Sequence, residues 1–187
     1  MMHEMIFAGF GGQGIMLMGQ LLAQAGLEEG RHVSWIPSYG PEMRGGAANC
    51  SVVISDEVIG APVVQKPQLA LAMNLQSKER FEDMVAPGGR FIINGSLVPD
   101  PPRRSDIRNY VLPLSDLAVD ELKSAKVLNM IALGAVFEAT GAVSEESIHK
   151  AMDFMFGKKL ARRPDLAALN RKAFQAGREA LNKAARA

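Results

Sequence analysis

A glycine-rich stretch follows the first apolar run of the chain and constrains the fold more than any other feature. The run Met5-Ile6-Phe7-Ala8 has the length of a buried strand, residues 9–14 read Gly-Phe-Gly-Gly-Gln-Gly, and apolar residues at helical spacing begin at Ile15. Glycine is needed where the backbone turns with positive φ, or where a neighbour comes too close for a Cβ. The order strand, glycine turn, helix therefore predicts an α/β unit whose helix N-terminus can hold an anion.

The rest of the chain alternates between strand and helix patterns. Further strands are predicted at residues 32–36, 50–54, 69–73, 90–94 and 107–112, and helices at 77–85, 125–140, from 144 onward and at 165–185. Residues 50–59 suggest a strand–turn–strand hairpin, and the proline-rich segment 99–106 suggests a surface linker. Ser77 is expected to cap the helix that runs to Val85, and Ser115 or Asp116 to cap the next helix. The expected fold is an α/β class three-layer α/β/α sandwich with a mixed, mostly parallel sheet, forming one domain over residues 1–187.

Composition excludes several classes of protein. The formal net charge of +1 gives no bulk argument for binding nucleic acid, and the N-terminus lacks the pattern of a signal peptide. No apolar run reaches the roughly 18 residues of a membrane helix. The single cysteine, Cys50, cannot form a disulfide within the chain, and the three histidines are too scattered to suggest a metal site. We therefore expect a cytoplasmic protein that binds no metal and no membrane.

The C-terminal part differs in charge from the rest. Residues 158–187 contain nine Lys or Arg against Asp165 and Glu179, a net charge of +7, so the remainder carries −6. Two interpretations are open for this basic helical tail: a solvated helix face, or a surface that docks on an acidic partner. Nucleic acid ranks third, because Phe174 is the one aromatic residue among the later positions of the tail.

The glycine turn has the formal spacing Gly-x-Gly-x-x-Gly, which invites a dinucleotide-binding interpretation. Such a site requires an acidic residue near the end of the second strand to hold the ribose. Residues 35–38, Trp-Ile-Pro-Ser, contain none, and Glu28 and Glu29 come too early. No P-loop lysine follows the turn. Two interpretations of the glycines stay open: tight helix–strand packing, and contact with a ligand or another subunit.

A second glycine-rich loop, from Ser38 to Gly46, follows the second strand. Pro41 stiffens it, and Arg44 could clamp a carboxylate or phosphate, although an internal Glu42–Arg44 ion pair is an equal alternative. No catalytic Ser–His–acid set can be inferred. The candidate ligand or subunit interface comprises Gly9, Gly11, Gly12, Gln13, Gly14, Ser38, Tyr39, Gly40, Pro41, Glu42, Arg44, Gly45, Gly46 and Asn49.

These two stretches, with the run Val52-Val53-Ile54-Ser55 that follows, resemble the gamma subunit of 2-oxoacid:ferredoxin oxidoreductases over nearly the whole chain. The form Glu42-Met43-Arg44-Gly45-Gly46 is most similar to the 2-oxoglutarate and branched-chain members. The resemblance implies a complex that oxidatively decarboxylates a 2-oxoacid to its acyl-coenzyme A and reduces ferredoxin. It also implies that this chain packs against the alpha subunit, helps to wall the active site and contributes to the coenzyme A site.

The same resemblance places the cofactors on other chains. It implies thiamine diphosphate and magnesium on the alpha and beta subunits, and iron–sulfur clusters on beta or a delta subunit. This agrees with the residues, because one cysteine cannot ligate a cluster and no Gly-Asp-Gly thiamine motif is present. Three alternatives stay open: a stand-alone Rossmann-type dinucleotide-binding protein, a purely structural assembly subunit, and the related indolepyruvate oxidoreductase beta subunit. Replacing Arg44 with Ala is expected to raise the KM for coenzyme A or the oxoacid.

Overall fold

The computed structural model describes residues 1–39 and 46–186. Within them the strands are β1 (Met2–Phe10), β2 (His32–Tyr39), β3 (Ala47–Ser55), β4 (Leu69–Ala72), β5 (Arg90–Asn94) and β6 (Arg108–Leu112). The helices are α1 (Ile15–Glu28), α2 (Leu75–Phe81), the single turn α3 (Leu114–Asp116), α4 (Leu128–Thr140), α5 (Glu145–Leu160) and α6 (Pro164–Arg186). A π-helical turn, Leu117–Glu121, continues α3, and 3₁₀ turns cover Glu82–Met84 and Ala125–Val127.

The strands form one mixed sheet in the order β2-β3-β1-β4-β5-β6. Strands β1, β4, β5 and β6 are parallel, whereas β3 runs antiparallel to both β1 and β2. Side chains alternate between the two faces: Met5 and Phe7 pack on one side of β1, Ile6 and Ala8 on the other. Both faces are buried, so the central strands read as continuous apolar runs. The predicted α/β sandwich with a mixed sheet is confirmed.

Helices α1, α4, α5 and α6 cover the larger core. Helix α4 is buried on nearly all sides, and α6 crosses it so closely that a Cβ at Gly177 would overlap the carbonyl oxygen of Ile131. Arg178 of α6 bonds Glu138 of α4 at 2.8 Å and Glu145 of α5 at 2.6 Å. The helix predicted at residues 165–185 is confirmed, and its inner face is part of the core while most of its basic residues stay exposed.

A buried carboxylate organises the opposite face of the sheet, which α2 and extended segments cover. Glu82 is fully buried, lies 3.3 Å from the buried Lys78 Nζ, and accepts hydrogen bonds from Arg103 Nε at 3.1 Å and Arg104 N at 3.2 Å. Burial raises the pKa of Glu82, but the hydrogen bonds from Arg103 and Arg104 outweigh that effect and hold the pKa below its usual value. Hydrogen bonds from Arg103 and Arg104 to Glu82 therefore hold the segment 99–106, which was expected to be a linker, against the 3₁₀ turn that follows α2.

Three local expectations were wrong. Residues 58–59 form no strand; β3 instead begins at Ala47 and pairs with β1 on one edge and with β2 on the other. Asn74, not Ser77, caps α2, since its Oδ1 accepts from Ser77 N at 2.8 Å. Ser115 lies within α3 rather than before it, because Asn94 Oδ1 accepts from Ser115 N at 3.3 Å and fixes that turn.

Candidate ligand-binding edge of the sheet

The candidate site lies at the edge where β1, β4 and β5 have their carboxyl ends. In open α/β sheets, ligands bind beyond this edge. The register places Gly9, Ala48 and Tyr39 in one row across β1, β3 and β2, and the next row contains Asn49 and Ser38. Gly11 N also donates to Gly46 O at 3.0 Å. The fold thus brings the glycine turn together with Ser38, Tyr39, Gly46 and Asn49, as expected from the sequence.

The glycines of the turn have different physical roles. A Cβ at Gly9 would lie 2.5 Å from Gln13 Oε1 and 3.1 Å from Met73 Cβ, so glycine here makes room for the Gln13 side chain and for the end of β4. Gly14 has φ +76° and abuts the buried Asn129 of α4. Gly12 has φ +100° and faces open space. Packing therefore explains Gly9 and Gly14, while Gly12 leaves room for a ligand or another chain.

Gln13 stabilises the glycine turn itself. Its Oε1 accepts from Phe10 N at 2.7 Å, and its own N–H donates to Phe10 O at 3.2 Å. This pair of bonds closes residues 10–13 into a compact turn, so the backbone polar groups are satisfied locally. Gln13 therefore has a structural role in the turn, in addition to the interface role expected of it, because its side-chain oxygen accepts a hydrogen bond from Phe10 N.

Helix α1 begins directly after the turn, and no side chain caps it. Gly14 occupies the N-cap position, and Met18 N donates to Gly14 O at 3.0 Å as the first helical bond. The preceding N–H groups of the first turn have no partner within the helix, and the helix dipole places partial positive charge there. A cavity of about 300 Å³ opens at this end, lined by Phe10, Gly11, Gly12, Gly14, Ile15, Met16, Leu17, Tyr39 and Ala48.

A second cavity, of about 410 Å³, shares one lining residue, Phe10, with the first. Its other lining residues are Asn74, Leu75, Gln76, Glu79 and Leu97. Asn74 is 4% exposed, its Oδ1 caps α2, and its Nδ2 is buried without an acceptor among the described residues. Sequence reasoning missed this contribution, although an Asn that ends a parallel strand beside the glycine turn is a signal that could have identified it.

Five of the expected interface residues, Gly40, Pro41, Glu42, Arg44 and Gly45, lie outside the described residues. Both interpretations of Arg44 given by the sequence, an internal ion pair with Glu42 and a clamp on a ligand, therefore stay open.

Cys50 is a buried core residue. Its side chain is fully enclosed, and burial raises the pKa of the Cys50 thiol to about 12. Iron–sulfur clusters are held by several cysteine thiolates, so the residues of this chain do not fit a cluster that the chain would hold alone. Across residues 1–39 and 46–186, no group of three or more His, Cys, Asp or Glu residues is arranged to hold a metal ion. No helix in the same ranges is both long and apolar enough to cross a membrane.

The topology also differs from that of a dinucleotide-binding Rossmann fold. There the second strand lies directly beside the first, and its acidic end reaches the ribose. Here β3 lies between β1 and β2 and runs antiparallel to both, so the end of β2 is about 10 Å from β1 at two strand spacings. Glu29 is engaged elsewhere, accepting from Ser144 N at 2.6 Å. The glycine spacing alone therefore does not make a nicotinamide site.

The fold and this edge together define an α/β domain with a glycine-lined candidate site at the carboxyl edge of its sheet. The chain belongs to the pyruvate ferredoxin/flavodoxin oxidoreductase family, whose model matches residues 4–180, and is of its gamma-subunit type. It is 41% identical over 154 residues to the ketoisovalerate oxidoreductase subunit VorA of Methanothermobacter thermautotrophicus, covering 81% of this chain and 31% of the relative. The chain thus spans about a third of that relative's length.

Two solved structures share the fold. The keto/oxoacid ferredoxin oxidoreductase gamma subunit of Geobacter sulfurreducens superposes with a TM-score of 0.80 at 32% identity, over 97% of this chain and 99% of that one. The 2-oxoglutarate:ferredoxin oxidoreductase of Magnetococcus marinus, solved with 2-oxoglutarate, coenzyme A and succinyl-CoA bound, superposes with a TM-score of 0.86 at 27% identity. The match covers 97% of this chain and 31% of that chain. Both support the identification as a gamma-type domain.

Proposed function

We propose that this chain is the gamma subunit of a multisubunit enzyme that converts a 2-oxoacid and coenzyme A to an acyl-CoA and passes electrons to ferredoxin. In this assignment the chain works in the cytoplasm with alpha, beta and delta-type subunits, which carry thiamine diphosphate, magnesium and the iron–sulfur clusters. The role of this chain is to bind and orient coenzyme A at the wall of the shared active site. It performs no chemical step alone.

The cavity at the N-terminus of α1 is the observation that carries the proposal. Coenzyme A is rich in phosphate, and a helix N-terminus that opens on a glycine turn binds phosphate through its free N–H groups and its dipole. Among residues 1–39 and 46–186, none of those that line this cavity is acidic. Gly12 leaves space for a close approach, and the ring of Tyr39, 57% exposed at the rim, can pack against the ligand.

For the oxoacid, we favour 2-oxoglutarate, then 2-oxoisovalerate or pyruvate. The form of the sequence at residues 42–46 and the Magnetococcus structure support the first choice, while the identity with VorA supports the second. The described edge offers no group that distinguishes these acids. Steady-state rates of the assembled enzyme with the three oxoacids in parallel will rank them.

The coenzyme A role is tested by Tyr39→Ala in the assembled enzyme. An aromatic contact of about 0.5–1.5 kcal/mol corresponds to about a 2- to 12-fold rise in the KM for coenzyme A, with the oxoacid KM unchanged. Leu27→Ala is the matched control, because Leu27 is similarly exposed, at 54%, but lies at the opposite end of α1.

Two results would overturn the proposal. One is a coenzyme A KM that is the same for Tyr39→Ala, Leu27→Ala and the unchanged enzyme. The other is turnover of an oxoacid by the purified chain without companions, since that would require redox centres which its residues do not fit.

A further inference from the structure

An exposed aromatic side chain lies on the outer face of α5. Phe154 is 73% exposed, whereas the other phenylalanine of this helix, Phe156, packs against the core. Gly157 and Ala161 follow Phe154 at helical spacing, and a Cβ at Gly157 would meet nothing within 4 Å. This face therefore presents one large ring beside small residues that let another backbone approach closely. Aromatic residues of this kind are typical anchors of protein interfaces.

The chain around Phe154 is strongly basic. Residues 153–172, the second half of α5 and the first half of α6, contain six Lys or Arg against two Asp, a net charge of +4. Arg163 contacts Asp165 at 2.8 Å, which accounts for one of the two carboxylates. Lys158 and Arg162 are exposed and form no ion pair in the described part of the chain. Their charges are therefore available to a partner.

We call Phe154, Lys158, Arg162 and Arg163 the α5–α6 tip. The sequence left two interpretations open for the basic tail, a solvated helix face and a surface that docks on an acidic partner. A solvated face has no use for an exposed phenylalanine, because its ring gains free energy only when it leaves water. The ring among unpaired cations therefore favours the docking surface.

The direction of α5 places the tip on the same side of the molecule as the glycine turn. The helix begins beside the C-terminal end of α1, where Ser144 N donates to Glu29 Oε1 at 2.6 Å, and it packs against α1. It contains 16 residues and is therefore about 24 Å long. Its C-terminal end thus points back towards the end of the sheet at which α1 starts. A protein bound to the tip can also reach the candidate site.

The lengths of the relatives indicate which protein this is. The domain makes up nearly all of the Geobacter gamma subunit but only about a third of VorA. In VorA the polypeptide itself holds the rest of the protein close to the domain, so that contact needs little affinity. A separate chain must find and hold the same neighbour through its surface. Complementary charge accelerates that encounter, and a basic tip requires an acidic counterpart.

We propose that the α5–α6 tip docks on the companion subunit that corresponds to the remainder of VorA, at an apolar pocket for Phe154 surrounded by Asp and Glu carboxylates. This assignment rests on the proposed function, which supplies the companion. The ring of Phe154 anchors the contact. Lys158 and Arg162 speed association and fix the register, because their carboxylate partners lie only on the companion.

Phe154→Ala tests the anchor in the assembled enzyme. The complex is isolated through an affinity tag on the companion and diluted in steps, and mass photometry measures the fraction that retains this chain. The dissociation constant is expected to rise at least about 30-fold, as for a buried aromatic anchor. Leu27→Ala is the control, since Leu27 is also exposed but lies at the opposite end of α1. Urea unfolding of the isolated Phe154→Ala chain should match that of the unchanged chain.

A double charge reversal, Lys158→Glu with Arg162→Glu, tests the acidic counterpart. At low salt the dissociation constant is expected to rise about 10-fold or more. At about 0.5 M salt, where the Debye length is roughly 4 Å, the difference from the unchanged chain should largely disappear. Lys66→Glu makes the same kind of charge change at an exposed lysine between β3 and β4, and it should have little effect at either salt concentration.

The outcomes separate this inference from the proposed function. If the unchanged chain copurifies with no companion subunit, the proposed function fails. If the enzyme assembles and the tip variants dissociate no more readily than their controls, the docking assignment fails alone. It also fails if the variants assemble normally but raise the KM for ferredoxin, because the tip then binds the electron acceptor. Self-association of the isolated chain that Phe154→Ala abolishes, with companion binding unchanged, would assign the tip to a second copy and reject the proposal.

Discussion

The crossing of α4 and α6 gives the sharpest test of the packing. A Cβ at Gly177 would overlap the carbonyl oxygen of Ile131 and lie 2.8 Å from its carbonyl carbon, and a Cβ at Gly134 would likewise overlap the carbonyl oxygen of Phe174. The obstacle in each case is helix backbone, which no rotamer change can move. Gly177→Ala must therefore push the two helices apart.

The magnitude follows from two opposing effects. Overpacking a tight core costs about 1–3 kcal/mol, and the upper end applies because the clash is with backbone and loosens the buried Phe174. Replacing Gly by Ala within a helix returns about 1 kcal/mol through lower chain entropy. The net expectation is a loss of about 2 kcal/mol, or a Tm about 4–8 °C lower for a chain of this size.

Gly157→Ala supplies the matched control. Gly157 also lies within a helix, α5, but a Cβ there meets nothing within 4 Å and its φ is not positive. The same substitution should raise the unfolding free energy by about 1 kcal/mol, so the two variants are expected to move in opposite directions. Urea and thermal unfolding followed by circular dichroism measure both. If Gly177→Ala is as stable as the unchanged chain while Gly157→Ala behaves as expected, the close α4–α6 crossing is incorrect.

Two further predictions concern buried ionisable groups. Glu82→Gln leaves Lys78 as a buried charge without its carboxylate, so a loss of about 3–5 kcal/mol is expected at pH 7. Because hydrogen bonds hold the folded-state pKa of Glu82 below its unfolded value of about 4.5, its contribution is present above that pH and is lost as the pH falls through the folded pKa. The stability of Glu82→Gln measured between pH 6 and pH 3 should therefore fall less than that of the unchanged chain, and equal slopes would contradict the prediction. Burial raises the pKa of the Cys50 thiol to about 12, so this thiol should resist iodoacetamide at pH 8 and react only in urea. Mass spectrometry measures the labelling, and rapid labelling of the native chain would contradict the prediction by showing that the thiol is accessible.

The sequence predicts regular elements well where the pattern is local. Strands β1, β4 and β5 follow short apolar runs bounded by turn residues, and Gly141 ends α4 in the left-handed conformation expected of a helix C-cap. The wrong predictions share a cause. The cap of α2 and the hairpin partner of β3 depend on which groups meet in space, and the local sequence pattern does not contain that information.

In the candidate site, too, the local turn could be predicted from the sequence, whereas contacts between distant residues could not. The glycine turn at residues 9–14 was predictable, because backbone with positive φ, as at Gly12 and Gly14, favours glycine. The place of Asn74 beside the second cavity was not predictable, because it depends on how β4 and α2 pack around it. Many asparagines end strands, and only the surrounding packing distinguishes this one from the fully bonded Asn94.

By itself, the sequence determined that the chain alternates strands and helices, turns sharply after its first strand and cannot ligate an iron–sulfur cluster with one cysteine. These properties depend on residue type and short spacing, which are present before the chain folds. Only the tertiary structure decided that β3 lies between β1 and β2, which removes the position of a ribose-binding acid, and that the basic C-terminal helix packs into the core through Gly177. Both depend on contacts between residues far apart in the chain, where burial and backbone hydrogen bonding, rather than local preference, select the partner.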